Sequence, residues 1–437
     1  MIDPSDDVVS FEMSGVEPTT TLICHGAVVS HLPQEVRPSA SSSGGPTAPP
    51  RGLNTAATVR DAVDAVLSGE IVMFTSGRAA AARVPTGWAP TPRKAQVERV
   101  VRGPNDAFTH DLMTNMALVR NLAQTRDLRV RIRALGPDAI AKVAVAYVAG
   151  KADPAVLETV RERLARPHPH SPVDVTRLKP ALVDDPLSPF VNVQLTERVD
   201  AVASALLAGG VAVFTTGSVE ALIVPTSFLQ MMASPEDRYL PRYLADADRL
   251  IRHIAAFLAL TIEPTYIALA SVNQDLLPTP LAFAIARART GVPMPVGAEV
   301  VLMAIIVEVL REAAIRLPQI LSQTISIVGA LVIGQAIVQA SLVSAPVTVL
   351  AAFSALASFT VPQYEIALAI RFLRFPGMLA AAVFGLFGVT VYYLIVMLHM
   401  AGLQSFGRPY LTPLAPRRQA SLGLLVRVPP WLKARLA

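Results

Sequence analysis

The sequence of 437 residues has little that could form a disulfide framework or a secretion signal. It contains one cysteine, Cys24, which cannot form an intramolecular disulfide, so nothing in it requires an oxidising compartment. The first residues, MIDPSDDVVSF, are acidic and lack the apolar run of about 7–15 residues that a secretory signal needs. We therefore expect the N-terminal part to remain in the cytoplasm.

Charged side chains are also scarce, and they are unevenly distributed. Only 16% of the residues are Asp, Glu, Lys or Arg, whereas 52% are hydrophobic. Residues 251–437 hold 13 positive and six negative side chains, a net charge of +7, while the preceding residues hold 25 and 27, a net charge of −2. The positive excess lies beside long apolar runs, which indicates membrane flanks and not a nucleic-acid surface.

Recognisable catalytic motifs are missing. The sequence contains no GxxxxGK[ST] phosphate loop, no HExxH, no GxSxG and no second cysteine for a metal cluster. Cys24, His25 and His31 lie close together, but three candidate ligands without a fourth do not predict a zinc site. Asp184 and Asp185 precede a proline, which is typical of a turn and not of an acid–base pair. We therefore expect no enzymatic activity, no metal ion and no cofactor.

Two long stretches carry no Asp, Glu, Lys or Arg, namely the 48 residues 317–364 and the 33 residues 375–407. A helix needs about 20 apolar residues to cross ~30 Å of hydrocarbon, so a soluble core does not explain both stretches. We expect residues 375–403 to form one membrane helix, with Arg371 and Arg374 as the positive flank at its start.

Other spans are predicted from the remaining apolar segments. The longer charge-free stretch has a turn signal at Pro346 and is expected to form two spans. Residues 251–271 form a fourth candidate, in which Pro264 would kink the helix. Positive residues flank the first and last spans, so both termini are expected to be cytoplasmic. This predicts about four spans within a transmembrane region at 245–403, followed by a basic cytoplasmic tail at 404–437.

The segment 297–318 carries ionisable side chains on an otherwise apolar helix. At about 100° per residue, Glu308, Arg311 and Glu312 fall on one face, and Glu299 lies half a turn from Glu308. One interpretation is an interfacial, re-entrant or bundled helix whose charges pair at helical spacing. The other is a polar stripe along a water-filled path, because ionisable groups at membrane depth are costly unless they face protein or water.

The charge-free segment offers a second candidate for a pore wall. Gln335 and Gln339 share a face with small residues, and they are predicted either to pack between helices or to line the path. Val328 and Leu331, together with Gln335, would form a narrow apolar gate. The complete set of pore or gate candidates is Glu299, Glu308, Arg311, Glu312, Val328, Leu331, Gln335 and Gln339.

An internal repeat organises the N-terminal part. GEIVMFTSGRAAAARVPT at 69–86 aligns with GGVAVFTTGSVEALIVPT at 209–226, and each copy follows a helix-like run. The Ser/Gly/Pro-rich linker at 39–52 replaces the helical part of the first copy. We predict an α/β plus α-helical membrane protein, in which two repeated small α/β subdomains in a cytoplasmic N-terminal region precede a multi-span helical bundle. The predicted first subdomain, helical connector and second subdomain are 1–90, 91–127 and 128–240.

A series of motifs runs in a specific order over residues 97–416. The matching strings are VRGPNDAF at 101, DPLSPF at 185, FTTGSVEALIVPTSFLQMMASPEDRY at 214, GVPMP at 291, EVLREAAIRLP at 308, SIVGALVIGQAIVQASLVS at 326, ASFTVPQY at 357, LRFP at 373 and SFGRPYLTPLAP at 405. In this order they resemble the A subunits of spore germinant receptors of endospore-forming bacteria, the GerA family. The first subdomain departs from the family pattern because its helical part is replaced by the linker.

The resemblance implies an A subunit of a nutrient-responsive germination receptor in the inner spore membrane. It implies a transporter-like B subunit and a lipoprotein C subunit as partners, and a homo-oligomer around a gated path for monovalent cations. The lipid bilayer is a further expected partner, and nucleic acid is not. Alternatives are a non-conducting membrane scaffold and an accessory protein of the dipicolinate-release machinery, which a paralogous branch of the family resembles. A secondary transporter would need a second broken helix to mirror the one at Pro264.

Overall fold

The computed structural model forms two compact units. It describes residues 8–13, 20–25, 54–56, 71–75, 81–84, 90–135, 141–166, 174–316, 334–412 and 414. Unit 1 comprises residues 1–186, 192–226 and 404–408, and unit 2 comprises residues 187–191, 227–403 and 409–437. Unit 2 thus begins at Ser227 and not near residue 240, and part of the predicted tail belongs to unit 1.

Unit 1 contains two five-stranded antiparallel sheets. The first has the order β1-β2-β4-β5-β3, and the second has the order β10-β12-β11-β9-β8. The strands of the first sheet are β1 Val8–Met13, β2 Thr20–His25, β3 Asn54–Ala56, β4 Ile71–Thr75 and β5 Ala81–Val84. Two short strands follow, β6 Arg93–Lys94 and β7 Asp106–Ala107. The strands of the second sheet are β8 Leu128–Leu135, β9 Ala141–Val148, β10 Gln194–Thr196, β11 Val211–Thr215 and β12 Ala221–Val224.

The two sheets have the same pairing register where they can be compared. Ile71 of β4 lies opposite Val84 of β5, and 140 residues later Val211 of β11 lies opposite Val224 of β12. The same offset relates the β3–β5 pair to the β10–β12 pair. The alternating apolar residues of β11 and β12 are buried on both faces, as expected for strands covered on two sides.

Helices cover both faces of the second sheet. They are α1 Leu112–Ala123, α2 Pro154–Ala165, α3 Val175–Leu182 and α4 Val199–Leu207. On one face, Met116 of α1 and Leu206 of α4 pack with Phe108 and Phe214, whose rings meet edge to face at 5.2 Å. On the other face, α3 packs on β11 and β12, and α2 packs on α3. The predicted helical connector at 91–127 is therefore helical only in α1, because the chain before it forms β6, β7 and the loop between them.

Residues 404–408 return to unit 1 after the helices of unit 2. The Ser405 hydroxyl donates to the Asn192 carbonyl at 2.7 Å and accepts from the Thr226 N–H at 3.0 Å. Ser405 is fully buried, so both hydrogen bonds are shielded from water. Unit 1 is therefore assembled from three pieces of chain that are far apart in sequence.

Unit 2 is helical in all its longer described elements. They are α5 Phe228–Met231, α6 Arg242–Ile267, α7 Thr279–Ala288, α8 Val296–Arg316, α9 Ala345–Ser358 and α10 Tyr364–Gly402, and residues 334–339 are also helical. A π-helical turn, Ala268–Val272, continues α6. Among the described residues, two helical stretches are long and apolar enough to cross a membrane, Arg242–Val272 and Tyr364–Gly402. Ala345–Ser358 is a shorter apolar helix.

The element α10 is a hairpin of two helical halves and not one helix. Gly385 interrupts it with φ 61° and ψ −145°, a conformation that a residue with a side chain rarely adopts. The Tyr392 hydroxyl donates to the Leu373 carbonyl at 2.6 Å, although these residues would be about 28 Å apart along a straight helix. The halves before and after Gly385, 21 and 17 residues, are about 31 and 25 Å long and run antiparallel.

The prediction of one membrane helix over 375–403 is therefore wrong. An apolar run reports burial in lipid or protein, but a reversal needs only one glycine and changes the composition little. Gly388 allows the two halves to approach, because a Cβ there would lie 2.3 Å from the Ala380 carbonyl oxygen. Arg371 and Arg374 do not flank the helix at its start as predicted, since both are buried within its first half.

Two adjacent tyrosines satisfy carbonyl groups near the helical prolines. Pro264 has no N–H for the Leu260 carbonyl, and the Tyr393 hydroxyl donates to that carbonyl at 2.6 Å. Pro376 lies in the first half of α10, where Tyr392 donates to the nearby Leu373 carbonyl. The helix α6 thus continues through its proline, and the predicted interruption appears as the π-helical turn that follows it.

Candidate functional site

Charged and hydroxyl side chains from four helices meet inside unit 2. We call this group the polar cluster; it consists of Glu263 on α6, Glu308 and Arg311 on α8, Ser354 and Ser358 on α9, and Arg371 and Arg374 on α10. Arg374 lies 10 residues after the start of α10 and 11 residues before Gly385, or about 15 Å from each end of the first half. The polar cluster therefore lies midway along an apolar helix.

Arg374 connects three of these helices. Its Nη1 donates to Glu263 Oε1 at 3.1 Å and to Ser354 Oγ at 3.2 Å, and its Nη2 donates to Glu308 Oε1 at 2.9 Å. Only 3% of the Arg374 side chain and 1% of the Glu263 side chain are exposed. Ser354 in turn donates to the Ala259 carbonyl of α6 at 3.2 Å. A charge buried to this degree is tolerated because opposite charges and hydrogen bonds surround it.

Glu308 is the shared acceptor of the polar cluster. Its carboxylate lies 2.9 Å from Arg374, 3.5 Å from Arg371 and 3.7 Å from Arg311, measured between nitrogen and oxygen atoms. The Arg311 guanidinium also donates to Ser358 Oγ at 3.1 Å. The Glu308 side chain is 29% exposed, which makes it the most accessible of the four charged partners in these pairs.

The polar cluster has an excess of one positive charge, because three guanidinium groups surround two carboxylates. Glu263 Oε2 and the Nε atoms of Arg371 and Arg374 are buried without a hydrogen-bond partner among the described residues. Such groups are costly at membrane depth and in a protein core. The arrangement holds four helical elements in one geometry, and its net charge repels a monovalent cation.

Glu299 occupies a separate, fully buried site at the start of α8. Its Oε1 accepts from the Ser344 backbone N–H at 2.7 Å and from the Ser344 hydroxyl, and its Oε2 accepts from Arg289 Nε at 3.0 Å. Arg289 also donates to the Met294 carbonyl at 2.9 Å. Ser344 directly precedes α9, so this carboxylate joins the beginnings of two helices.

The described pore candidates therefore have different surroundings. Glu308 and Arg311 belong to the polar cluster, whereas Glu312 is exposed and pairs with Arg316, whose Nε lies 2.9 Å from it. Gln335 and Gln339 are exposed on the helical residues 334–339. Val328 and Leu331 lie outside the described residues. The assignment of all eight residues to a pore or gate stays a prediction.

Four members of the polar cluster escaped the sequence analysis: Glu263, Ser354, Arg371 and Arg374. Arg371 and Arg374 are three residues apart and share a helix face, which was the available signal. They were interpreted as flanking charges because positive residues usually end a membrane helix. Their partners lie on other helices and carry no local signal.

A second ionic contact holds the start of α6. Asp237 accepts from Arg249 Nε at 3.0 Å and from Arg252 Nη2 at 3.1 Å. Burial raises the pKa of the Asp237 carboxyl, but hydrogen bonds and positive charge from Arg252 and Arg249 outweigh burial and hold the pKa below its usual range. Among the described residues, no group of three or more His, Cys, Asp or Glu side chains is arranged to hold a metal ion.

Known proteins match most of this sequence. A family model described as Bacillus/Clostridium GerA spore germination protein matches residues 38–436. The uncharacterized membrane protein YfkQ of Bacillus subtilis is 37% identical over 373 residues, which cover 85% of this chain and 73% of that protein. Spore germination protein A1 of Bacillus subtilis is 39% identical over 358 residues, which cover 82% of this chain and 74% of that protein.

A solved structure also matches. The crystal structure of the N-terminal domain of the A subunit of the Bacillus megaterium spore germinant receptor GerK3 superposes with a TM-score of 0.36 at 21% sequence identity. The match covers 51% of this chain and 90% of that one.

Proposed function

The chain belongs to the GerA family of Bacillus/Clostridium spore germination proteins, and from this we propose that it is the A subunit of a nutrient-responsive germination receptor. It acts in the inner spore membrane, where copies of the chain assemble around a gated path for monovalent cations. A transporter-like B subunit and a lipoprotein C subunit complete the receptor, as the resemblance implies. The names of the relatives support a role in germination and a membrane location.

The N-terminal region of this receptor subunit consists of two copies of one α/β fold. Support comes from the shared strand order of the two sheets and from the constant offset of 140 residues between β4–β5 and β11–β12. A duplicated unit offers two equivalent surfaces, one in each copy, through which neighbouring subunits assemble.

The observation that carries the proposed gate is the polar cluster. Its excess positive charge makes it a poor binding site for a cation, so it acts as a lock that holds α6, α8, α9 and α10 in the closed arrangement. The path itself is lined by the face of Gln335 and Gln339, which is exposed in the single chain. Amide oxygens can replace part of the water around a monovalent cation without binding it tightly.

The lock is tested by potassium release from spores that carry Glu308→Gln. Removing one negative charge from among three guanidinium groups destabilises the closed arrangement, so we expect potassium release to begin without nutrient or at lower nutrient concentration. Glu312→Gln is the matched control, because Glu312 is exposed and pairs only at the surface with Arg316. Unchanged release with Glu308→Gln, at a normal amount of protein, contradicts the lock.

The path is tested with the purified full chain in liposomes. Gln335→Leu combined with Gln339→Leu replaces two amide groups by apolar groups of similar size and is expected to lower the potassium flux. Gln274→Leu changes an exposed glutamine of the same unit and serves as the control. An unchanged flux in the double variant places the path elsewhere.

A non-conducting scaffold is the second candidate function. It is favoured by the mutual pairing of the charged groups in the polar cluster, since a static bundle needs no more than that. An accessory protein of dipicolinate release belongs to the same class. Liposomes that contain the oligomer and pass no cation, together with normal germination of the glutamine variants, would favour this candidate.

The secondary-transporter alternative gains no support from the second helix interruption at Gly385. That interruption lies at the end of the first half of α10, and the Asn273 side chain, just after the π-helical turn of α6, accepts from the Leu386 N–H at 2.9 Å. Both interruptions therefore lie together at the ends of helices. Transporters of the inverted-repeat kind place broken helices near the middle of the membrane.

A further inference from the structure

An exposed loop in unit 1 has an unusual composition for its surface position. Residues 96–103 connect β6 to β7 and present Val97 and Val101 with 74% and 92% of their surface exposed. Arg99 and Arg102 are exposed on the same loop. A soluble protein normally covers such side chains or replaces them by polar ones, so an ordered pair of exposed valines indicates a contact surface.

The start of the loop is held in place by a buried carboxylate. Glu197 Oε1 accepts from three consecutive backbone N–H groups, those of Gln96, Val97 and Glu98, at 2.8, 2.6 and 2.8 Å. Glu98 returns the contact, because its Oε2 accepts from the Glu197 N–H at 3.2 Å. Three converging N–H groups form an anion-binding concavity, and here the chain fills it with its own side chain.

A fully buried arginine joins the two ends of the loop. Arg198 donates to the Glu98 carbonyl at 3.1 Å and to the Pro104 carbonyl at 2.7 Å, and both oxygens of Asp200 balance its charge at 2.9 and 3.0 Å. Within the loop, Asn105 pairs with both the N–H and the carbonyl of Val100 at 3.2 Å.

Burying an ion pair costs desolvation free energy, and this pair fixes a segment that contributes almost nothing to the core. A fixed loop loses less conformational entropy when it binds, so the same contacts give higher affinity. The bracing groups point inward, while the two valines point outward. The loop is therefore built to present its tip to a partner.

The charges of the loop and its two flanking strands identify that partner. The exposed charged residues are Arg93, Lys94, Arg99, Arg102 and Asp106, a net charge of +3. Apolar side chains among basic ones match the surface of an anionic bilayer, where the apolar groups enter the headgroup region and the cations meet lipid phosphates. The chain passes directly from unit 1 into the apolar helices of unit 2 after Thr226, so unit 1 is tethered to a membrane protein.

We propose that residues 93–106 form a membrane-contact loop, in which Val97 and Val101 insert between the headgroups of anionic lipids and Arg99 and Arg102 bind their phosphates. This contact is separate from the ion path and does not depend on it. It would hold unit 1 on the bilayer surface and make that attachment depend on lipid charge and on salt.

The experiment uses the full chain in lipid nanodiscs with Cys24→Ser, so that one introduced thiol carries an environment-sensitive fluorophore. Val101→Cys reports on the loop, and Leu122→Cys, at a half-exposed position of α1, reports on another surface of unit 1. Discs contain phosphatidylcholine alone or with phosphatidylglycerol, and spin-labelled lipids serve as quenchers.

We expect the label at position 101 to shift to shorter wavelength and to lose at least half its intensity to the quencher in anionic discs only. The label at position 122 should do neither. Arg99→Gln with Arg102→Gln should abolish the quenching, because both side chains are exposed and take no part in the bracing contacts. Absence of quenching at position 101 in anionic discs overturns the proposal, and a wavelength shift without quenching assigns the loop to a protein partner, which overturns it as well.

Discussion

Replacing Arg374 by methionine tests the polar cluster most directly. The substitution keeps the length of the side chain but removes the only cation that contacts Glu263 in the structure as described, and it leaves that carboxylate 1% exposed. Breaking a buried pair by removing one partner costs about 3–5 kcal/mol. Because roughly 1 kcal/mol shifts the midpoint of unfolding by about 2–4 °C in a domain of this size, we expect a decrease of about 10 °C.

The assay is thermal unfolding of the full chain in detergent, followed by the loss of helical circular dichroism. Adding Glu263→Gln to Arg374→Met removes the unpaired charge and should recover more than half of the loss. Arg316→Met is the control, because its side chain is 78% exposed and its ion pair contributes within about 0.5 kcal/mol. If Arg374→Met unfolds within about 2 °C of the parent, or if the second substitution recovers nothing, the charges are not coupled as the distances indicate.

Three further substitutions test other features of unit 2 by the same unfolding assay. Gly385→Ala places a side chain at a positive φ and 2.2 Å from Asn273, so it should cost about 1–3 kcal/mol, whereas Gly402→Ala has open space and should cost less than about 1 kcal/mol; equal effects would contradict the hairpin. Tyr393→Phe leaves a carbonyl of α6 without its donor and should cost about 1–3 kcal/mol; no change would mean that another group replaces the hydroxyl. Asp237→Asn should destabilise the protein at pH 7, and the deficit should shrink as pH falls below about 4, because a lowered pKa stabilises the fold only while the carboxyl is ionised; a deficit independent of pH would refute the ionic contribution.

The sequence was most informative where a pattern is local. The aligned segments at 69–86 and 209–226 contain β4–β5 and β11–β12, because alternating β-branched residues between glycines specify strands directly. The apolar stretches correctly indicated a helical C-terminal region, since length and hydropathy are sums over neighbouring residues.

Features that depend on distant residues could not be predicted in this way. The reversal at Gly385 separates two segments that are equally apolar, so composition does not distinguish the hairpin from one helix. Glu263 and Arg374 are 111 residues apart, and neither sequence neighbourhood indicates the other. The bracing of residues 96–103 by Glu197 and Arg198 depends in the same way on contacts across about a hundred residues.

The fastening of residues 404–408 within unit 1 affects how the protein can be divided into fragments. A fragment that stops after Thr226 leaves the Asn192 carbonyl and the Thr226 N–H without the buried hydroxyl that joins them. Supplying the missing pentapeptide through a short flexible connector, in place of the 177 residues between 226 and 404, should restore a soluble receptor module for crystallisation and binding studies.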